Sequence, residues 1–436
     1  MKRLRLFVRL LETYRHAPAA NFKLLLGKYL DTVAAEDRPF LTHAAYGLLR
    51  KRRQVGHVIT RFARRLPVSP ADPIYPLLEA TVFLLLFADG VPAHAVGNAA
   101  VGLAGRGRSG FVNALARHVA RSRETLRDEL EHSPDPALRF SISPFLVERL
   151  GQVSPDPAGD LAALDREPVF HLHFDPRRLT LATAREKLER DGIEVRTIPP
   201  LGCLEIHEAG RVLADPELRS VFFFQNSGSH FISRVAAEAA RQHVFDGCAA
   251  PGTKTIALAL LRPDLSIVAG DGSPARGRLL SQSLRNWSVP RVSPLTADLL
   301  APPLRPTWPD LVIIDAPCSA SGTLRKNPDR KEGIDAIVAS RHAGLQGRML
   351  DAVDRAFPAA SILYSVCSFL PDEGEEVTRP FARRSQRSPQ DLAAIAKRDG
   401  FPAVPLATGT LLRPGPWQND LFYLALLSPK AARDGT

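Results

Sequence analysis

Apolar residues recur at helical spacing through the first third of the chain, as in Phe40, Leu41, Ala44, Ala45, Leu48 and Leu49, and again in Val96, Ala99, Ala100, Val101 and Leu103. Turn signals at 67–70 and 105–110 separate these segments, so residues 1–135 are predicted to form an all-helical domain. Prolines then cluster (Pro134, Pro136, Pro144, Pro155, Pro157), the composition expected of an interdomain connection. Residues 136–220 are read as this linker plus a small α/β unit, with a strand over 171–174, a helix over 181–191 and a strand near 193–195. From about 221 to 430 strand and helix patterns alternate. Strands are expected at 243–245, 265–269 and 292–295, with helices at 254–261 and 275–287, which means a parallel sheet with crossover helices, the doubly wound α/β class.

Two further hydrophobic runs each end at a cysteine. Leu311-Val312-Ile313-Ile314 precedes Asp315-Ala316-Pro317-Cys318-Ser319, and Ile362-Leu363-Tyr364-Ser365-Val366 precedes Cys367-Ser368. Both runs read as buried parallel strands with polar residues at their carboxyl ends, the edge at which open α/β sheets bind ligands. Two thiols are therefore expected in one crevice.

Charge sharpens the division of labour. Of the net +11, all lies in residues 1–130, which hold 21 Lys+Arg against 10 Asp+Glu; the remaining 36 basic and 36 acidic side chains cancel. Clusters such as Arg50-Lys51-Arg52-Arg53, Arg61 with Arg64-Arg65, and Arg121 with Arg123 could offer a phosphate-binding surface, or could be an ordinary solvated face. No apolar run approaches membrane-spanning length, and the basic start Met1-Lys2-Arg3-Leu4-Arg5 lacks the apolar stretch and cleavage site of a secretory signal, so a cytoplasmic protein is expected. With only Cys203, Cys248, Cys318 and Cys367, working thiols fit better than a disulfide framework or a metal cluster.

The segment Asp246-Gly247-Cys248-Ala249-Ala250-Pro251-Gly252-Thr253-Lys254 joins a strand to a helix through small residues that allow close approach of a bound molecule. It has neither dinucleotide-fingerprint glycine spacing nor a phosphate-loop ending. Asp271 and Asp298 end the next two strands, where carboxylates can accept ribose hydroxyls and an adenine edge, so an adenosine-containing cofactor is expected; the plainer alternative is that both are turn or cap residues. Downstream of Cys318, Arg325-Lys326 would suit an anionic substrate or be a solvated loop. Cys318 could equally be a small buried apolar residue. Acidic residues after Cys367 (Asp372, Glu373, Glu375, Glu376) favour a helix start but oppose a thiolate.

These segments resemble the cofactor, Asp-Ala-Pro-Cys-Ser and Tyr-Ser-Thr-Cys-Ser motifs of the Sun/Fmu-type RNA 5-methylcytosine methyltransferases of the Nol/Nop/Sun family. Arg38-Pro39-Phe40-Leu41, Tyr46-Gly47-Leu48-Leu49-Arg50, Val91-Pro92-Ala93-His94-Ala95 and Gly110-Phe111-Val112-Asn113-Ala114 resemble the NusB-like RNA-binding domain of bacterial members. The resemblance implies a Rossmann-like S-adenosylmethionine-dependent methyltransferase domain at 221–430, an all-helical NusB-like domain at 1–135 and a small α/β RNA-recognition subdomain within 136–220. It further implies Cys367 as nucleophile, Cys318 in adduct breakdown, Asp315 near the cytosine amino group or the sulfonium, and Lys254 in support of Asp315. Cofactor contacts would come from Cys248, Ala249, Ala250, Pro251, Gly252, Thr253, Lys254, Asp271, Asp298 and Asp315, while Cys203 matches no motif. Implied partners are S-adenosyl-L-methionine and RNA, expectedly small-subunit ribosomal RNA or its assembly particle, with no metal, no membrane and a monomeric chain. DNA enzymes of related chemistry use a Pro-Cys nucleophile, which would instead select Cys318. A non-catalytic ribosome-assembly factor retaining the fold is the rival reading. The chain departs from the family pattern at Thr253, Ala320, Gly374, Gln225-Asn226-Ser227 and Leu172-His173-Phe174-Asp175.

Overall fold

A computed structural model describes residues 2–16, 22–63, 68–198 and 201–429, so Arg64, Arg65 and Pro67 lie outside the described residues. The chain divides into a first unit, residues 1–147 with 327–333, and a second, residues 148–326 with 334–436.

The first unit is helical, as the 3.6-residue period predicts. Its central helix, Tyr75–Leu86, is buried on every side, which accounts for the longest apolar run as core rather than membrane span. No helix of the described residues is long and apolar enough to cross a membrane. Helix Arg38–Phe62 passes close to it: a Cβ at Gly47 would stand 2.5 Å from Phe83 Cζ. The unit also takes in a short helix from far along the chain, Arg330–Gly333. Lys331 there is fully buried, its ammonium donating to the carbonyls of Phe140 (2.8 Å) and Arg50 (3.3 Å), and Ser143 N donates to Lys331 O at 2.9 Å. Beside it Glu332 accepts a forked pair from Arg53 at 2.8 and 2.7 Å. The proline-rich stretch is not extended: Pro136, Pro144 and Pro157 each open a helix (Pro136–Arg139, Pro144–Val153, Pro157–Asp165), where a missing N–H costs nothing.

The second unit holds two sheets. The smaller, ordered β2-β3-β1-β4, comprises β1 (Phe170–Phe174), β2 (Arg196–Ile198), β3 (Cys203–Ile206) and β4 (Phe222–Phe224), all antiparallel. The strand anticipated at 193–195 begins three residues later. Helix Leu181–Arg190 ends with Gly192 in the left-handed region (φ +67°) and Ile193 N bonded back to Leu188 O, so Ile193 is a buried helix stop.

The larger sheet runs β5 (His243–Asp246), β6 (Ser266–Asp271), β7 (Val292–Thr296), β8 (Leu311–Asp315), β9 (Ser361–Val366), β10 (Ser388–Pro389), β11 (Ala403–Pro405), β12 (Thr410–Leu412) and β13 (Phe422–Ser428). Its order is β11-β12-β13-β9-β8-β5-β6-β7, with β10 beside β13. Strands β7, β6, β5, β8 and β9 are parallel, and the antiparallel β13 covers β9. Connections from β5 go one way to β6 and later ones the other way from β8 to β9, so β5 and β8 flank the topological switch point, where such sheets bind ligands.

Candidate active site

The cofactor-type loop is stitched across that switch point. Gly247 N donates to Ile313 O of β8 (2.9 Å) and Ala249 N to Gly270 O of β6 (2.8 Å). The Ala250–Pro251 peptide is cis, and Gly252 lies at φ +109°, where a Cβ would also come within 3.0 Å of Leu280. Thr253 is the first residue of helix Thr253–Leu261, so its branched side chain enters at a helical backbone position rather than at the strained one. Below the loop, Thr255 Oγ1 donates to Asp246 Oδ2 at 2.7 Å, and burial pushes the Asp246 carboxyl up to about 6.

Asp271, at the end of β6, is buried; Oδ1 accepts from Ser273 N (3.0 Å), whereas Oδ2 takes no hydrogen bond although Arg276 lies 3.2 Å away. Asp298 is exposed after β7 and accepts from Leu300 N at 2.9 Å, holding its own turn. A strand-end carboxylate oxygen free of hydrogen bonds and a glycine cradle above a helix start suit an adenosine-bearing ligand.

Strands β8 and β9 pair in register, Asp315 opposite Ser365, and thereby bring the two cysteine loops together. Cys318 Sγ stands 3.3 Å from Cys367 Sγ. Asp315 Oδ2 accepts from Lys254 Nζ at 2.7 Å and Oδ1 from Ser365 Oγ at 2.9 Å. Burial works to lower the Lys254 ammonium, but the adjacent Asp315 charge outweighs it and holds the lysine protonated. The Cys318 thiol is pushed well up, first by its hydrogen bond with Cys367 and then by burial. Burial likewise raises Cys248, and Cys203, enclosed in β3, reaches about 12.

A buried polar network fixes both cysteine loops. Glu373 accepts from Ser319 N (2.7 Å) and Ser319 Oγ (2.6 Å), Ser321 and Ser368 share a hydroxyl bond at 2.8 Å, and Gly322 N donates to Cys367 O at 3.0 Å. A Cβ at Gly322 would overlap the Leu421 carbonyl. Gln346 Nε2 holds Pro317 O at 2.9 Å. Ser365 and Glu373 were not singled out as site residues by sequence. Ser365 stood inside the motif, and Glu373 was hidden in an acidic run that reads as a helix start.

The sites of departure from the family pattern have local causes. Ala320 adopts φ +63°, where glycine is at ease. Gly374 leaves room for the Tyr423 ring, whose Cγ a Cβ would approach to 2.8 Å. Asn226 Oδ1 caps helix Ser227–Ala239 through Gly228 N (3.0 Å) and also accepts from Asp420 N (3.1 Å), bonds an aspartate would make equally. His173 in β1 is wholly buried, and desolvation keeps its ring neutral.

Two charge expectations need correction. Arg325 and Lys326 are neither a solvated loop nor an open anion site, because buried Asp420 accepts from both (3.1 and 2.7 Å). Several cluster arginines are also committed: Arg52 to Glu79, Arg53 to Glu332, Arg61 to Glu129 and Arg123 to Asp89. Cationic surface remains elsewhere in the helical unit. Arg5, Arg9 and Arg106 line a cleft of about 570 Å³ together with Val8, Ile74, Leu77 and the Arg108–Asp72 pair. Among the described residues, no His/Cys/Asp/Glu group could hold a metal ion.

A parallel sheet with this switch-point loop and paired strand-end carboxylates defines a Rossmann-like methyltransferase domain, and its cofactor is S-adenosylmethionine. Comparison with known proteins carries this further. The profile of the family described as 16S rRNA methyltransferase RsmB/F matches residues 235–428, and that of the NusB family residues 1–121. The ribosomal RNA small subunit methyltransferase B of Pseudomonas syringae pv. tomato is 30% identical, covering 95% of this chain and 94% of its own. That of Salmonella paratyphi B is 26% identical, covering 91% and 92%. The chain belongs to the ribosomal RNA small subunit methyltransferase B family. Its fold is similar to the crystal structure of PH0851 (TM-score 0.70, 22% identical, 98% of each chain). It also resembles NSun6 from Pyrococcus horikoshii with SFG (TM-score 0.55, 17% identical, 66% of this chain and 98% of that one).

Proposed function

We propose that this RNA methyltransferase modifies carbon 5 of a cytosine in small-subunit ribosomal RNA through a covalent cysteine adduct. The observation that carries the reading is the 3.3 Å approach of Cys318 and Cys367 sulfurs beside the Lys254–Asp315 pair. Carbon 5 of cytosine is a weak nucleophile. A Cys367 thiolate adding to carbon 6 forms a C–S bond and moves the π pair to carbon 5. S-adenosylmethionine, when bound, supplies an electrophilic methyl group on a sulfonium. The carbon 5 pair would take that methyl as its bond to sulfur breaks; the carbon 5 hydrogen then leaves as a proton, its pair restores the double bond, and the C–S bond breaks to return the thiolate. The family resemblance makes Cys367 the attacking sulfur and gives Cys318, 3.3 Å away, the breakdown of the adduct; the Pro-Cys alternative exchanges these roles.

The residues fit the cofactor. The backbone of 248–253 would lie along it, Asp271 would accept a ribose hydroxyl and Asp298 an adenine edge, with Asp315 near the sulfonium end. The Lys254 ammonium holds one oxygen of Asp315, and Ser365 fixes its second oxygen. The base reaches these groups unpaired or flipped from its helix.

The test is adduct trapping on ribosomal RNA carrying 5-fluorocytosine, in which the blocked carbon 5 cannot release its substituent. Cys367→Ala is expected to abolish the covalent complex while Cys318→Ala retains it; the reverse pattern exchanges the roles. Bisulfite sequencing of ribosomal RNA from a deletion strain should show one cytosine losing its protection. If every cytosine stays as protected as in the parent strain, the proposal fails.

A further inference from the structure

We propose that Glu373 is the positioning residue of the thiol pair, its buried carboxylate clamping the loop of Cys318 to the segment of Cys367 and so setting the reach of one sulfur to the other. The inference rests on the reading above that both thiols serve one covalent adduct.

The bonding is that of a bridge. Ser319, next to Cys318, gives both its N–H and its hydroxyl to the two oxygens of Glu373 (2.7 and 2.6 Å), across 54 residues of sequence. The main chain of Glu373 is held in turn by Tyr364, whose hydroxyl donates to Glu373 O at 2.6 Å, and Tyr364 lies in β9, the strand that delivers Cys367. Glu373 and Ser319 are both fully buried.

Burying a polar group costs free energy unless it is hydrogen-bonded. A side chain that only filled space here would be better apolar, so the two bonded oxygens point to geometry. Two parallel acceptors from one residue match the two donors of Ser319. Glutamine could meet the Ser319 N–H with its oxygen only by turning an amide N–H onto the Ser319 hydroxyl and reversing that bond, and aspartate would fall a methylene short. A shift of about 1 Å in sulfur placement is enough to slow a positioned reaction by about a hundredfold.

A trivalent arsenical reports the sulfur separation without any RNA. Phenylarsine oxide condenses with two adjacent thiols, forming two As–S bonds and releasing water. The full-length parent should capture one equivalent by intact mass, with Cys318→Ala and Cys367→Ala capturing none. Glu373→Gln is expected to weaken capture at least tenfold and to lower kcat at least tenfold, with KM for S-adenosylmethionine and RNA within twofold. On unmodified RNA it should also accumulate covalent adduct, as is expected of Cys318→Ala when adduct breakdown is slowed, a signature that simple loss of fold does not give. Ser319→Ala, which removes only the hydroxyl bond, is expected to show the same pattern at about threefold, and decides the matter if Glu373→Gln does not fold. Parent-like capture and turnover in the folded variants overturn the clamp. Lost capture in Glu373→Gln with no adduct in Cys318→Ala upholds the clamp and overturns the covalent reading instead.

Discussion

The two halves of the carboxyl edge of the large sheet are built on opposite principles. Beyond β8 and β9 the polar groups next to the cysteines bond one another: Ser319, Ser321, Ser368 and Glu373 are buried and bonded, and both oxygens of Asp315 are taken. Beyond β5, β6 and β7 they are left partly unmatched, with Asp271 Oδ2 lacking a donor, Asp246 raised by burial and Asp298 open to solvent. Preset geometry suits groups that must meet a reacting base at a fixed distance, whereas unmatched acceptors suit a cofactor that brings donors and leaves again.

This contrast can be broken or sharpened by substitution. Lys254→Met should have the largest effect. It leaves Asp315 without its cation, so methyl transfer should fall by about a hundredfold or more, read by incorporation of labelled methyl groups. Retained activity would show that Asp315 needs no charge partner. Next, Asp246→Asn bears on the uncompensated side. The folded-state value is about 6 against an ordinary 3.8, so the native protein holds a proton that the unfolded chain has released between these values. Stability is therefore lost as pH rises through that window, amounting to about 3 kcal/mol by pH 7. The asparagine variant should be more stable by about that much at pH 7 and no more stable than the parent at pH 4, as measured by urea unfolding. Asp271→Asn should weaken S-adenosylmethionine binding by about tenfold in calorimetry, the worth of one charged hydrogen bond, while arsenical capture by the thiols stays unchanged. A change in both would erase the distinction between the halves. The smallest effect belongs to Ala320→Gly, which relieves a left-handed backbone at some entropic cost; a gain of about 0.5 kcal/mol is expected in the same unfolding assay.

Much of this arrangement was legible in the chain because it is local. The run Leu311-Val312-Ile313-Ile314 had to be a strand and Cys318 had to follow it, and the same holds for Cys367; adjacency of the strands did the rest. What escaped depends on partners distant in sequence. Glu373 reads as a helix-start acid until Ser319 is beside it, and Arg325 with Lys326 reads as an anion site until Asp420 arrives from 95 and 94 residues away. Periodicity carries no information on such pairings. The charge excess of the first 130 residues lies where the sequence puts it, yet Arg52, Arg53, Arg61 and Arg123 of its named clusters pair with carboxylates.

The burial of Lys331 in the helical unit has a practical consequence for anyone dissecting the gene. A fragment stopping at residue 147 would lack the lysine that satisfies the Phe140 and Arg50 carbonyls, and Arg53 would lose its carboxylate. Such a truncation resembles a lock missing its bolt. The helical fragment should melt earlier than the same helices inside the whole polypeptide, and a synthetic peptide spanning 327–333, supplied in trans, is the natural candidate to restore it.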